Sequence, residues 1–235
     1  MAAGFRVVVP VKPLAAAKSR LPVAPELRRQ LAAAMLRDTL EATVRAESVV
    51  DLVVLSADPQ AHRIAEAAGA RWVPSEDRAG LNAALRGARD RLSADRRPTP
   101  TAVMMADLPA VETAELDAAL QEASGAASAH TYVADLLAGG TTLLACRNGA
   151  LDPRFGPGSA RTHADAGHRR IGDTLVGLRC DVDDLPGLAI ARYLGLGPAT
   201  TEVLADRSPA QLETARHWSG AANPIPHDGG PRAHG

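Results

Sequence analysis

FRVVVPVKPLAAAKSRL, residues 5–21, decides how the rest of the chain is read. Its first seven residues form a valine-rich run, as expected of a strand buried on both faces of a sheet. A basic loop, residues 12–24, follows and ends at Pro25, where the first turn of a helix tolerates proline. Beyond it Leu27, Leu31, Met35 with Leu36, Leu40 and Val44 recur at spacings of four, which predicts a helix to about residue 46 with one apolar stripe.

The same alternation of short apolar runs and amphipathic stretches continues along the chain. Strands are expected at residues 49–56, 71–74 and 101–106, separated by helices that begin at an Asp58 cap and near Gly80, the latter closed by Pro98 and Pro100. A further helix follows Asp107 and Pro109 through Glu115 and Leu120. The spacing then predicts strands at 129–133 and 141–146 around Gly139-Gly140, either as a hairpin or as a substrate loop. A helix at 159–169, a strand at 174–182 and a last helix at 184–194 complete the pattern. This is the signature of an α/β fold: a single-domain, Rossmann-like, mostly parallel central sheet with helices on both faces.

Composition bounds what such a fold is for. A chain of 235 residues with 46% apolar content supplies one substantial core, expected over residues 1–207. Residues 208–235, rich in Gly, Pro, Ala and His without periodicity, read as a disordered tail. Lys plus Arg (26) balance Asp plus Glu (27), so no nucleic-acid or anionic-membrane partner is expected and ligands must be held by a local site. No stretch approaches a membrane span and no leader pattern opens the chain, so the expected location is cytoplasmic. Cys146 and Cys180 stand apart, outside any CxxC pattern, and read as small buried hydrophobes.

Ligands of open α/β sheets bind beyond the carboxyl ends of the strands, so the residues just after each apolar run carry the chemistry. The first loop offers Lys12, Lys18, Ser19 and Arg20 to a triphosphate, or is a solvated basic loop. Asp107, directly after TAVMMA, is placed to hold Mg²⁺ beside substrate phosphates, or to cap the next helix. Asp181 and Asp183, two apart on an expected strand, share a face and can converge on one cation while Asp184 is offset and suits a cap, or all three serve as caps and solvated turn residues. In FGPGS, residues 155–159, Gly156 and Gly158 precede a helix start at Ser159, which forms either an anion site of backbone N–H groups or an ordinary turn. Thr141 either gives its hydroxyl to a phosphate or simply begins a strand. His163 and His168, five apart on the expected helix, do not share a face and read as surface residues. Neither a GxxxxGK[ST] loop nor a GxGxxG fingerprint occurs, which disfavours the P-loop NTPases and dinucleotide oxidoreductases, and no GxSxG elbow is present.

Six segments in this order, VPVKPLAAAKSRL at 9–21, GLNAAL at 80–85, ADLPAV at 106–111, GGTTLL at 139–144, FGPGSARTH at 155–163 and DVDDLPGL at 181–188, resemble the phosphoenolpyruvate and 2-phospholactate guanylyltransferases of coenzyme F-420 biosynthesis. The resemblance spans the chain to about Leu204. It implies a nucleotidyltransferase fold, dependence on Mg²⁺ and GTP as donor. It further implies that Thr141, Gly156 and Ser159 hold the acceptor, that Asp107, Asp181 and Asp183 bind metal, that Lys18 and Arg20 face the nucleotide, and that Asn82 lies near base or ribose. One departure stands out: the family commonly has Pro-Asp before the glycine turn, where this chain has Ala134-Asp135 followed by Leu136, Leu137 and Ala138.

The reaction this implies is attack of the acceptor's phosphate oxygen on the α-phosphorus of GTP. A phosphate monoester is already anionic near neutrality, so metal and Lys/Arg charges, rather than a general base, are expected to carry catalysis. Phosphoenolpyruvate is the expected acceptor, ahead of 2-phospho-L-lactate or 3-phosphoglycerate. A non-catalytic nucleotide-binding regulator is the alternative of a different class. The next enzyme of the pathway is the expected protein partner, taking over a labile product.

Overall fold

The computed structural model describes residues 4–75, 80–92, 99–137 and 139–205. Pro98, Ala138 and the expected tail at 208–235 lie outside the described residues. β1 (Phe5–Val11) sits inside the sheet because it is buried on both sides: Phe5, Val7, Val9 and Val11 join the core on one face, Val8 the core on the other. It pairs in parallel with β2 (Val49–Ser56) and with β4 (Thr101–Met104), and β2 pairs in parallel with β3 (Arg71–Pro74).

Beyond β4 the direction reverses. β5 (His130–Ala134) and β6 (Thr141–Cys146) form an antiparallel hairpin, and β6 also runs antiparallel to β4. The two-residue β7 (Arg169–Arg170) closes that edge in parallel with β5. The sheet order among the described residues is therefore β3-β2-β1-β4-β6-β5-β7, mostly parallel with one reversed strand.

Helices cover both faces. α1 (Pro25–Val44), α2 (Pro59–Ala67) and α4 (Thr113–Gly125) pack on one through Leu36, Leu40, Ile64, Leu116 and Leu120. α3 (Leu81–Leu92) covers the other through Leu85, Ala88 and Leu92. Truncating a side chain as buried as Leu36 would cost about 2–5 kcal/mol. α1 has a second apolar stripe, Leu27, Leu31 and Met35, which meets α6 (Leu185–Leu194) and α7 (Pro198–Ala205). Val44, placed on the stripe by its spacing, is exposed instead. Asp58 caps α2 by accepting from the Gln60 and Ala61 N–H groups, and Asp184 caps α6 by accepting from Gly187. Among the described residues no helix is long and apolar enough to cross a membrane.

Three expectations need correction. Residues 174–182 form turns, not a strand: the β5 edge is already taken by β7, and the Gly177 and Leu178 N–H groups donate to the Glu115 carboxylate at 3.0 and 2.9 Å. The helix expected at 159–169 is only α5 (Ser159–Asp165), ended by Gly167 at positive φ. α7 was not expected. Asp38, buried within α1, holds it by accepting from the Ala199 and Thr200 N–H groups at 2.9 and 2.8 Å.

Candidate active site

The carboxyl ends of β1 and β4 open into a cleft of about 570 Å³. Two rims face each other across it. One is charged and comes from the loop after β1, the end of β4 and residues 181–183; the other is made of the β5–β6 turn and the FGPGS segment.

The charged rim starts with the basic loop, anchored by buried Leu14, Leu21 and Val23 and by donation from Leu14 N–H to Asp58 at 2.6 Å. With its neighbours fixed, Lys18 adopts φ 58°, a left-handed conformation that a residue with a Cβ keeps only when its surroundings hold it there. Its ammonium donates to Asp107 Oδ2 and, at 3.3 Å, to Asp183 Oδ1, and Arg20 adds a 3.4 Å contact with Asp183. Lys12, Ser19 and Arg20 line the cleft and are exposed.

Asp107 is delivered by β4, and α1 fixes its approach: the Thr39 hydroxyl, which donates to the Met35 carbonyl at 2.8 Å and lies 3.3 Å from the Ala106 carbonyl, accepts from the Leu108 N–H. Residues 181–183 are tied to it because Val182 N–H donates to the Asp107 carbonyl at 3.1 Å. Val182 is buried, which leaves Asp181 and Asp183 on the cleft side without any strand being formed. Gly177 makes the approach possible, since a Cβ there would stand 2.2 Å from the Ala110 carbonyl oxygen.

The electrostatics are unbalanced. Burial pushes the Asp181 carboxyl up to about 7, and the charges of Asp107, Asp135 and Asp183 add to that, with Lys18 opposing. Burial works against the Lys18 ammonium, but Asp107 and Asp183 outweigh it and hold its pKa above the ordinary lysine value. One buried ammonium thus serves a group of carboxylates that repel one another.

No three His, Cys, Asp or Glu side chains among the described residues close on one point as a self-sufficient metal cage. Mg²⁺ does not need one: it is held by one or two carboxylates and completes its shell with water and substrate phosphates. The crowded oxygens of half-buried Asp107 and Asp181 and of exposed Asp183 fit that donor set.

The opposite rim is uncharged apart from Asp135. That residue, missed in the sequence, accepts from the Gly139 and Gly140 N–H groups at 2.7 and 2.6 Å and so shapes the β5–β6 turn. A Cβ on Gly140 would lie 2.5 Å from Asp135 Oδ2, so this turn needs glycine. With Asp135 retained, Leu136, Leu137 and Ala138 in place of the usual family context still leave Thr141 at the cleft. Thr141 both begins β6 and lines the site, beside Gly156 and Ser159. Gly158 caps α5, in the left-handed conformation.

Two supports stand behind these residues. Asn82 does not line the cleft; its amide donates to the Phe155 carbonyl and accepts from the Phe155 N–H, both at 2.8 Å. His163 and His168, expected at the surface, are buried because the chain turns back after α5 and brings the two rings together at 5.2 Å. His163 reaches Thr141 Oγ1 at 2.9 Å, and His168 stacks in turn on His130. The cleft therefore gathers Lys12, Lys18, Ser19, Arg20 and the three aspartates with Thr141, Gly156 and Ser159, and leaves only Asn82 one layer back.

The sequence profile described as "Guanylyl transferase CofC like" matches residues 5–176. The chain is 44% identical over 209 residues to the phosphoenolpyruvate guanylyltransferase of Thermomonospora curvata, covering 88% of this chain and 90% of that protein. It is 42% identical to the protein of the same name from Streptomyces scabiei, covering 86% and 96%. Among solved structures, a putative nucleotide-diphospho-sugar transferase from Desulfovibrio desulfuricans superposes with a TM-score of 0.64 at 14% identity, over 90% of this chain and 97% of that one. A 4-diphosphocytidyl-2C-methyl-D-erythritol synthase gives 0.54 at 17% identity, over 82% and 99%. At such identities the structural likeness speaks for the fold, that of the nucleotide-diphospho-sugar transferases.

Proposed function

The chain belongs to the CofC-like guanylyltransferases, a nucleotidyltransferase family, and on that premise we propose that it transfers GMP from GTP to phosphoenolpyruvate. The products would be enolpyruvoyl-2-diphospho-5'-guanosine and pyrophosphate. One observation carries the reading: a single cleft is lined both by a carboxylate and lysine cluster and by a glycine turn, closed on Asp135, that brings Thr141 to the cleft wall. The charged rim suits a metal-bound triphosphate; the other rim suits a small phosphorylated acid.

Asp107, Asp181 and Asp183 would hold a divalent cation, taken here as Mg²⁺, which when bound supplies charge neutralisation for the triphosphate. Lys18, Arg20, Lys12 and Ser19 bind the nucleotide, the cations offsetting charge that builds on the departing pyrophosphate. Thr141, Gly156 and Ser159 orient the acceptor so that its phosphate oxygen meets the α-phosphorus in line. That oxygen forms the new P–O bond as the bond to pyrophosphate breaks, and because it is already anionic no protein base takes a proton. Among the described residues the cleft lining contains no histidine or cysteine, consistent with a reaction driven by positioning and charge.

A cytoplasmic setting, a place in coenzyme F-420 biosynthesis, and a downstream enzyme that takes the labile enol diphosphate directly are parts of the same proposal. Incubating the full chain with GTP and Mg²⁺, and separately with phosphoenolpyruvate, 2-phospho-L-lactate or 3-phosphoglycerate, tests it by mass spectrometry. The expected result is guanylylated phosphoenolpyruvate with an equal amount of pyrophosphate, dependent on both metal and acid. Product from another acid alone would move the acceptor assignment, and GTP binding without pyrophosphate release under any condition would mean a regulator.

A further inference from the structure

We infer that His163 is a positioning residue: its imidazole donates to Thr141 Oγ1, and so leaves the threonine hydroxyl with its own proton aimed at an anionic oxygen of the acceptor. The inference rests on the proposed role of Thr141 in holding that acceptor. It follows from three hydrogen-bond constraints taken in order.

His163 is fully buried on α5, with Tyr132 of β5 and Phe155 packed around the ring at 5.8 and 5.4 Å between centroids. Its Nε2 lies 3.1 Å from the Arg154 backbone nitrogen. A backbone N–H can only donate, so Nε2 must be the bare, accepting nitrogen. The proton of the neutral ring therefore sits on Nδ1. Nδ1 lies 2.9 Å from Thr141 Oγ1, so the imidazole donates and the threonine oxygen accepts.

A threonine hydroxyl has one proton and two lone pairs. With a lone pair engaged by His163, the proton is what remains to offer. Among the described residues His163 is the hydrogen-bond partner of this hydroxyl, and Thr141 lines the cleft beside Gly156 and Ser159. In the other tautomer Thr141 would spend its proton on the ring and present lone pairs to a phosphate or carboxylate, which repels it. The sign of the threonine's interaction with an anionic acceptor is thus decided one layer behind the cleft, by a side chain that does not touch substrate.

Two amide replacements separate positioning from packing. In His163→Asn the side-chain nitrogen falls at the place of Nδ1 and keeps the donor to Thr141. In His163→Gln the amide falls at the place of Nε2, keeping a partner for Arg154 but removing that donor. Steady-state kinetics with GTP and phosphoenolpyruvate, on variants whose melting curves show them folded, give the readout. Thr141→Val and His163→Gln are each expected to raise the acceptor KM about tenfold, with the GTP KM within about twofold of wild type. His163→Asn should stay within about threefold, and Thr141→Val/His163→Gln should be no worse than Thr141→Val alone. Multiplicative losses in the double variant, or Asn worse than Gln, would overturn the inference. An unchanged acceptor KM in Thr141→Val would instead remove the assignment of Thr141 itself, whatever His163 does.

Discussion

The two rims of the cleft are stabilised in opposite ways. On the charged rim, Lys18 is held in a left-handed backbone conformation between Asp107 and Asp183, while Asp181 sits partly buried among other carboxylates. On the acceptor rim nearly every polar group already has a partner: Asp135 with two glycine N–H groups, Asn82 with both sides of Phe155, and His163 with Arg154 and Thr141. One rim carries repulsion, only partly offset by Lys18, that a bound cation can relieve. The other is rigid before any ligand arrives, which lowers the cost of ordering it on binding. A transferase that must bring two anions together gains from this division, since the one carboxylate of the acceptor rim, Asp135, is engaged by glycine N–H groups of its own turn.

The sharpest way to break the contrast is to remove charge from the first rim. Asp107→Asn is expected to lower kcat/KM by about a hundredfold or more, because a preorganised electrostatic contact is lost in the transition state. Asp181→Asn should lose turnover too, yet melt at or above the wild-type temperature, since it removes a partly buried charge crowded by three others. Calorimetry alongside initial rates checks both. A turnover near wild type for both variants at limiting Mg²⁺ would leave the charged rim without a catalytic role.

A smaller loss is expected when a support of the second rim is removed. Asn82→Ala deletes both hydrogen bonds to the Phe155 backbone, so Gly156 and Ser159 lose their fixed distance from Thr141. At about 1 kcal/mol for each bond, the acceptor KM should rise roughly thirtyfold. The position of Asn82 behind the cleft places the effect on the acceptor. A rise confined to the GTP KM would show instead that Asn82 serves the base or ribose.

This difference also explains what could be read from the sequence. Asp107 follows a strand of buried apolar residues, and strand ends are where an α/β sheet presents its ligands, so its place was legible. Asp181 and Asp183 were placed correctly at the cleft for an incorrect reason. Leu175, Leu178, Cys180 and Val182 carry the apolar content of a strand, but the segment packs as turns held by Glu115. What escaped were groups defined by distant partners. Asn82 finds Phe155 73 positions away, His163 finds Thr141 22 positions away, and Asp38 caps α7 across more than half the chain. Periodicity reports which residues are buried; it does not report which hydrogen bonds burial will force.

The rims should also answer acid with opposite signs, in metal-free protein without substrates. Burial, with the neighbouring charge of His168, lowers the His163 pKa from 6.5 to about 4; Arg154 pushes the same way and Asp152 against, while Tyr132 packs on the ring without charge. Between those values the unfolded chain binds a proton that the folded chain refuses, so this residue's contribution to stability falls as pH drops from 6.5 toward 4. From pH 7 to pH 5 the loss is about 1–2 kcal/mol. Asp181 does the reverse: its folded pKa of about 7 lies above the ordinary 3.8, so the folded chain holds the extra proton and its contribution is lost as pH rises through 7. Urea unfolding at pH 7 and pH 5 should therefore show a flatter acid loss in His163→Asn and a steeper one in Asp181→Asn than in wild type. Parallel shifts in the two variants would mean that the rims are not electrostatically distinct, and the division of labour drawn from them would fail.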